Sequence, residues 1–410
     1  MVVPGARRVL SPAARTSLYY SSLLMSVAVA NPFLPLWLTS KGLDPGEIGL
    51  INAIPILLMV VINLLVGRIA DRASDWRTVI VIGSILAAIP PFFLIVSEGF
   101  WPILIVWTLL NLPFHAIAPV VDAATMRMAI RSGGDFGRIR AWGSIGFISV
   151  TLLAGVAMNN LGIAAFVPFF IAVSLLRAAL SLQLPLFREQ GASAPVLDLA
   201  ATGGERPRFA VATQSHELWR PWFVLTLIGG SLLQASQMML MGFGALLWSD
   251  AGIDNLTIAI LWSIGPTAEI ATMLYYRRLA RRFSARQLML FACLCAVLRW
   301  ICYAFEPTVP VIAVLQLFHL ATTGLLIMGM TSFIANWTSE SIAAEAQSFF
   351  VMLRQVGTVA ALATFGYLVG WLGSDAYFVA AAIAALGGVA IAASLRMMSV
   401  RSEFTAAGAG

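Results

Sequence analysis

Apolar residues along this chain do not alternate with polar ones. They run in blocks on the scale of a bilayer. A hydrocarbon core of about 30 Å takes about 20 apolar residues of helix per crossing. Windows of that length fall near residues 16–38, 47–70, 77–97, 101–127, 138–158 and 162–184. A second set falls near 220–248, 255–278, 286–305, 309–335, 345–370 and 376–397. The pattern predicts an all-α integral membrane protein of twelve spans in two six-helix bundles, because no stretch of useful length has the period-two pattern of a strand. Polarity rises between the sets, from about Phe187 to Glu217, through Gly191, Pro195, Gly203, Gly204 and Pro207. Such a segment reads as a tether. The expected organisation is an N-terminal bundle over 1–187, a cytoplasmic linker over 188–217, and a C-terminal bundle with a short tail over 218–410.

Composition agrees. Apolar residues make up 60% of 410 residues and charged ones 11%, with a mean hydropathy of +0.89. A soluble domain has no polar shell large enough to hide that surface. Lys41 is the only lysine, and outside the spans the arginines occupy every second connection: Arg7, Arg8 and Arg15; Arg72 and Arg77; Arg131; Arg188, Arg206 and Arg208; Arg281, Arg282 and Arg286; Arg401. The alternate connections hold Lys41, Asp44, Glu47, Glu98, Asp254, Glu306 and Asp375. The positive-inside rule therefore puts both termini in the cytoplasm, and the membrane expected for such a carrier is a bacterial-type inner membrane. This topology accounts for the pI of about 9.6 without nucleic acid, and makes anionic headgroups the partner of the basic turns. The first apolar block has no small-residue cleavage site and reads as a retained span rather than a signal peptide. Cys293, Cys295 and Cys302 share one span among Leu, Ala and Val, which is a packing pattern and not a metal site.

Six ionisable residues lie inside otherwise apolar spans: His115, Asp122, Arg140, Glu269, Arg299 and His319. A charge in hydrocarbon costs at least a few kcal/mol, so such residues face a protein interior or an aqueous path. Spread over both halves, they read as the working parts of a solute carrier. Asp122 and Arg140 sit on consecutive spans, where a bidentate pair is geometrically reasonable; a static hairpin clamp and a substrate gate are the two readings of it. Glu269, Arg299 and His319 share a mid-span depth. An apolar setting and a nearby arginine move a carboxyl's proton affinity in opposite directions, which gives Glu269 a coupling role, with His319 as relay. Arg299 is either the fixed counter-ion of Glu269 or a substrate contact. His115, between Pro113 and Pro119, either lines the path or satisfies a freed carbonyl. Tyr20 and Phe33 can stack a ring, while Tyr19 reads equally as an interfacial anchor. No nucleophile–base pair, metal-ligand cluster or phosphate-cradling loop points to an enzyme.

Two strings narrow the reading. GRIADRASDWR, Gly67 to Arg77, resembles the signature loop of the major facilitator superfamily, with Gly67, Asp71, Arg72 and Arg77 at its positions and Ser74 in place of a later glycine. DFGRIRAWGSIGFI, Asp135 to Ile148, has small residues at the spacing that lets transmembrane helices meet backbone to backbone. It resembles the phenylpropionate permease-like branch of that superfamily, near the oligosaccharide and nucleoside proton symporters. NPFLPLWL at Asn31, PVVDA at Pro119, WSIGPTAEI at Trp262 and FHLATTG at Phe318 extend the resemblance over nearly the whole chain. The chain is more remotely similar to the lactose permeases. That similarity implies a substrate-binding acid and arginine at Asp122 and Arg140, and a coupling set at Glu269, Arg299 and His319. Thr322 stands where those permeases carry a proton glutamate, and Phe147 where they stack the sugar on tryptophan. Taken with the reading of Tyr20 and His115 above, the expected substrate site is Asp122, Arg140, Phe147, Tyr20 and His115, and the resemblance makes Gly67, Asp71, Arg72 and Arg77 the gating loop.

The resulting expectation is a proton-coupled symporter of a small organic solute such as an aromatic carboxylate, nucleoside or short saccharide. No cofactor is expected beyond the proton as coupling ion, and the expected partners are the solute, protons and the lipid bilayer around a monomer. A proton-coupled exporter of toxic small molecules shares these features, and a non-transporting receptor or scaffold gains nothing from two charged clusters at mid-span.

Overall fold

A computed structural model describes residues 10–187, 219–338 and 340–398. The linker expected over 188–217 lies outside the described residues. Helices follow the apolar blocks: α1 (Pro12–Ser40), α2 (Pro45–Arg72), α3 (Trp76–Ile95), α4 (Phe100–Ser132), α5 (Phe136–Leu161) and α6 (Ile163–Ser181). Beyond the linker come α7 (Pro221–Asp250), α8 (Asn255–Leu279), α9 (Ala285–Ala304), α10 (Val309–Trp337), α11 (Glu340–Leu372) and α12 (Ala376–Met397). Among the described residues, nine helical segments are long and apolar enough to cross a membrane. One of them, Glu345–Met397, runs through both α11 and α12. This is consistent with the predicted spans.

The helix starts are chemically marked. Asp135 caps α5 by accepting from the amides of Gly137 (2.7 Å) and Arg138 (3.4 Å). Asp75 caps α3 through Arg77 N, and Ser284 with Gln287 forms a reciprocal capping box on α9. These contacts satisfy amides that the first helical turn leaves unbonded.

The chain divides into two compact units. Among the described residues, 10–34 and 61–187 form unit 1, and 35–60, 219–338 and 340–398 form unit 2. The C-terminal end of α1 and the N-terminal part of α2 thus group with the second half. Glycine explains this: a Cβ on Gly49 would stand 2.5 Å from the Leu362 carbonyl oxygen, and one on Gly366 would stand 2.5 Å from that of Pro45. With no side chain at either position, α2 and α11 meet along their backbones. Within unit 1, α3 packs on α4 and α6; within unit 2, α12 packs on α7 and α9. Two helices are locally widened to π geometry, α7 over Leu240–Gly244 and α10 over Leu320–Leu325. Such bulges recur at functional sites.

Candidate functional site

In unit 1 the string around Arg140 is built for a close helix crossing. A Cβ on Gly146 would lie 2.2 Å from the Ser21 carbonyl oxygen, and one on Gly143 would lie 3.0 Å from Leu24 Cδ1. α5 therefore lies directly on α1, and Tyr20 is drawn into the interior at 3% exposure. The Tyr20 hydroxyl donates to Asp122 Oδ1 at 2.6 Å, and its ring meets Phe136 edge-on at 6.4 Å between centroids. Among the described residues no ion pair within 4.0 Å joins Asp122 to Arg140, whose side chain is exposed. The expected hairpin pair is thus replaced by a tyrosine–carboxylate bond, because the α1–α5 crossing delivers Tyr20 to the acid. Phe147 is buried, and Trp142 is exposed.

His115 is exposed and edge-on to Phe114. Phe114 also meets Arg177 of α6, which sequence reasoning passed over. Its guanidinium sits 4.7 Å from the Phe114 ring centroid, donates to Ser26 Oγ at 3.0 Å, and is buried at 1% exposure. The criterion that singled out six ionisable residues applies to it equally, since it lies inside the apolar window 162–184. Tyr19 is no interfacial anchor. It is fully buried, with its hydroxyl 2.7 Å from Ser84 Oγ.

At the loop end of unit 1, Arg77 donates to the Leu182 carbonyl at 2.8 Å. Asp75 accepts from the Phe187 amide at 3.0 Å, Arg131 donates to the Phe187 carbonyl, and Arg127 lies 4.8 Å from the Trp76 ring centroid. The end of α6 is held by α3 and α4 through backbone groups. Asp75, unremarked in the sequence, is central to this. The side chains of Gly67, Asp71 and Arg72 lie outside what the structure describes.

In unit 2 the site is set by small residues where α8 meets α10. A Cβ on Gly265 would stand 3.2 Å from His319 Cγ, so the imidazole lies over the bare face of α8. Glu269 follows one turn later on that face, and His319 Nε2 comes within 3.8 Å of Glu269 Oε2. That is ion-pair range and longer than a hydrogen bond. Thr323 Oγ1 is 3.4 Å from His319 Nδ1. The π segment begins immediately after His319, and Thr272 Oγ1 donates to the Leu320 carbonyl at 2.7 Å. Thr272 also faces Gly324, where a Cβ would come within 2.7 Å of it.

Arg299 is wholly buried on α9. It donates to Thr322 Oγ1 at 3.3 Å and to Gln316 Oε1, while Gln316 Nε2 donates to the Leu261 carbonyl at 3.0 Å. The guanidinium lies 4.9 Å from the Trp300 ring centroid and 5.8 Å from that of Tyr303. Both rings belong to a stacked group with Tyr377 and Trp248. The threonine that stands where lactose permeases carry a glutamate is therefore a partner of the arginine. Gln316 was missed because a glutamine carries no charge to flag it. Cys293 and Cys295 are buried and Cys302 is exposed, all as free thiols.

Comparison with known proteins places this geometry. Residues 16–379 match the model of the MFS_1 like family. A protein of Escherichia coli (strain K12) named a probable 3-phenylpropionic acid transporter is 26% identical over 392 residues, covering 90% of this chain and 94% of its own. The maltose permease of Geobacillus stearothermophilus is 25% identical over 293 residues, 71% of this chain and 70% of its own. In fold, the crystal structure of the nucleoside transporter NupG superposes with a TM-score of 0.79 at 16% identity, covering 94% of this chain and 99% of that one. The chain belongs to the MFS_1 like family and is a multi-pass membrane transporter of the major facilitator fold, not an enzyme.

Proposed function

We propose that this transporter is a proton-coupled symporter that imports a small organic solute through a bacterial-type inner membrane, with both termini cytoplasmic. The observation that carries the coupling is the Glu269–His319 pair at 3.8 Å. Adding a proton turns a carboxylate beside a neutral imidazole into an ion pair or a neutral acid, and carries charge with it. Partial exposure of Glu269, at 22% of its side chain, gives that proton a way in and out. Arg299, buried on the same unit, supplies a positive charge.

Unit 1 supports the solute class. Arg140 is exposed and not taken up by Asp122, so its planar fork is free to receive a carboxylate or sugar hydroxyls. Tyr20, Phe147 and His115 offer ring contacts, with Asp122 held ready by the Tyr20 hydroxyl. An aromatic carboxylate satisfies both features at once. It is also the compound class in the name of the E. coli relative that spans most of the chain. Nucleosides and short saccharides meet the same donors through hydroxyls. The resemblance of Gly67, Asp71, Arg72 and Arg77 to the superfamily's signature loop supports a gating role for that loop.

The test is transport in proteoliposomes. With a pH gradient, the native protein should accumulate 3-phenylpropionate uphill. Glu269→Gln should lose accumulation while retaining exchange, and His319→Gln should shift the pH dependence. Accumulation by Glu269→Gln at the native level would remove this acid from coupling.

A further inference from the structure

Unit 2 carries an apolar groove on exposed helix faces that the transport reading does not use. It encloses about 970 Å³ between α9 and α12, and its walls include Phe291, Leu294 and Val297 on one side and Ala385 and Val389 on the other. Small residues make it. Gly388 forms the floor, where a Cβ would stand 3.3 Å from Cys293 Cβ, and alanines at 385 and 392 keep the α12 wall low. Phe291 and Leu294 are more than half exposed beside it.

Length and charge together identify the occupant. From Gln287 to Val297 the groove follows α9 for about 15 Å at 1.5 Å per residue, half of a hydrocarbon core of about 30 Å. It therefore spans one leaflet. Its lower end is the turn between α8 and α9, where Leu279 and Phe283 line it and the exposed Arg281 and Arg282 lie between them. From Ile270 to Phe305 the chain has Arg277, Arg278, Arg281, Arg282, Arg286 and Arg299 and no Asp or Glu. The Ser284–Gln287 capping box fixes the mouth. An acyl chain fills an apolar trough one leaflet deep, and paired guanidiniums at headgroup level select a phosphate bearing net negative charge.

We propose that this groove binds one anionic phospholipid of the arginine-rich leaflet, with an acyl chain between α9 and α12 and its phosphate on Arg281 and Arg282. The full-length protein in mild detergent is titrated with phosphatidylglycerol and with phosphatidylethanolamine of matched chains, and bound lipid is counted by native mass spectrometry. One phosphatidylglycerol should be retained about tenfold or more over phosphatidylethanolamine, since two arginines near an anionic headgroup imply a difference of that order. Arg281→Gln with Arg282→Gln should abolish the preference, and Ala385→Phe with Ala392→Phe should lose the retained lipid. Equal retention of both lipids by the native protein overturns the proposal whatever the variants do. So does an anionic preference that survives both variant pairs. Displacement by inorganic phosphate alone would reduce the site to a headgroup contact. Displacement by 3-phenylpropionate would assign the groove to substrate, and both outcomes refute a phospholipid site.

Discussion

The imidazole of His319 rests against Gly265, one turn ahead of Glu269 on α8, and that missing side chain lets its Nε2 approach within 3.8 Å of the carboxylate. The relation between the two titratable groups is thus governed by a residue with no chemistry of its own. A methyl at 265 would fall 3.2 Å from His319 Cγ, closer than ordinary packing, and a branched side chain has nowhere to go but into the ring.

Gly265→Val should therefore move the imidazole off Glu269 and lower stability by about 1–3 kcal/mol, the usual cost of overpacking. The expected transport phenotype copies Glu269→Gln: uphill accumulation lost, exchange retained. Uphill accumulation at the native level by a folded Gly265→Val protein would show that the close pair is not needed for coupling.

Tyr20→Phe removes the hydroxyl that meets Asp122 at 2.6 Å. A hydrogen bond to a charged group contributes about 1.5–3 kcal/mol, so the variant should bind substrate roughly ten- to a hundredfold more weakly or unfold at lower temperature. Asp122→Asn keeps an acceptor and should be milder. Isothermal titration beside thermal unfolding separates the two effects, and a Tyr20→Phe protein native in both would leave the bond without consequence.

Arg140→Lys distinguishes a binding residue from a structural clamp. Since no ion pair ties Arg140 to Asp122, loss of the fork should leave stability within about 0.5 kcal/mol, as for exposed substitutions generally. Affinity for a carboxylate substrate should fall about tenfold or more, because a point charge cannot replace bidentate recognition. Native affinity would assign carboxylate recognition elsewhere.

The pH dependence of one surface cap is fixed in sign. Asp254, in the turn before α8, has its proton affinity lowered first by the Thr257 hydroxyl (2.6 Å), then by the Thr257 and Leu256 amides. A depressed carboxyl stabilises above its unfolded pKa and loses that contribution as pH falls through the folded value. Asp254→Ala should thus cost about 1 kcal/mol near neutrality, and less below about pH 4. A thermal-shift difference that grows in acid would contradict the cap's charge-assisted character.

The spans were legible because about 20 apolar residues in a row admit one solution in hydrocarbon, where every backbone group must bond within its own helix. The ionisable residues were legible for the same reason, and Arg177 would have been found by applying the rule evenly. Partnerships were not legible. Asp122 takes Tyr20 rather than Arg140, and Arg299 takes Gln316 and Thr322, because helix crossings decide who meets whom. Those crossings hang on glycines such as Gly146 and Gly265, which the sequence marks as small without saying what they face. The π segment at Leu320–Leu325 left no sequence signal at all.

The α1–α5 crossing gives the sharpest test of that dependence. A Cβ on Gly146 would stand 2.2 Å from the Ser21 carbonyl oxygen and 2.8 Å from Ser21 Cα, which are backbone atoms with no rotamer to yield. Even Gly146→Ala must push the helices apart, withdrawing Tyr20 from Asp122. Destabilisation of about 1–3 kcal/mol is expected, despite alanine's better helix propensity of about 1 kcal/mol. Gly137→Ala on the same helix is the control. There the added methyl meets only the Asp135 carboxylate, at 3.2 Å on an exposed turn, and propensity should dominate. Thermal unfolding of both variants, with substrate titration of the folded fraction, decides the matter. A Gly146→Ala protein as stable and as avid as Gly137→Ala would mean that the α1–α5 contact neither holds unit 1 together nor places Tyr20 on Asp122.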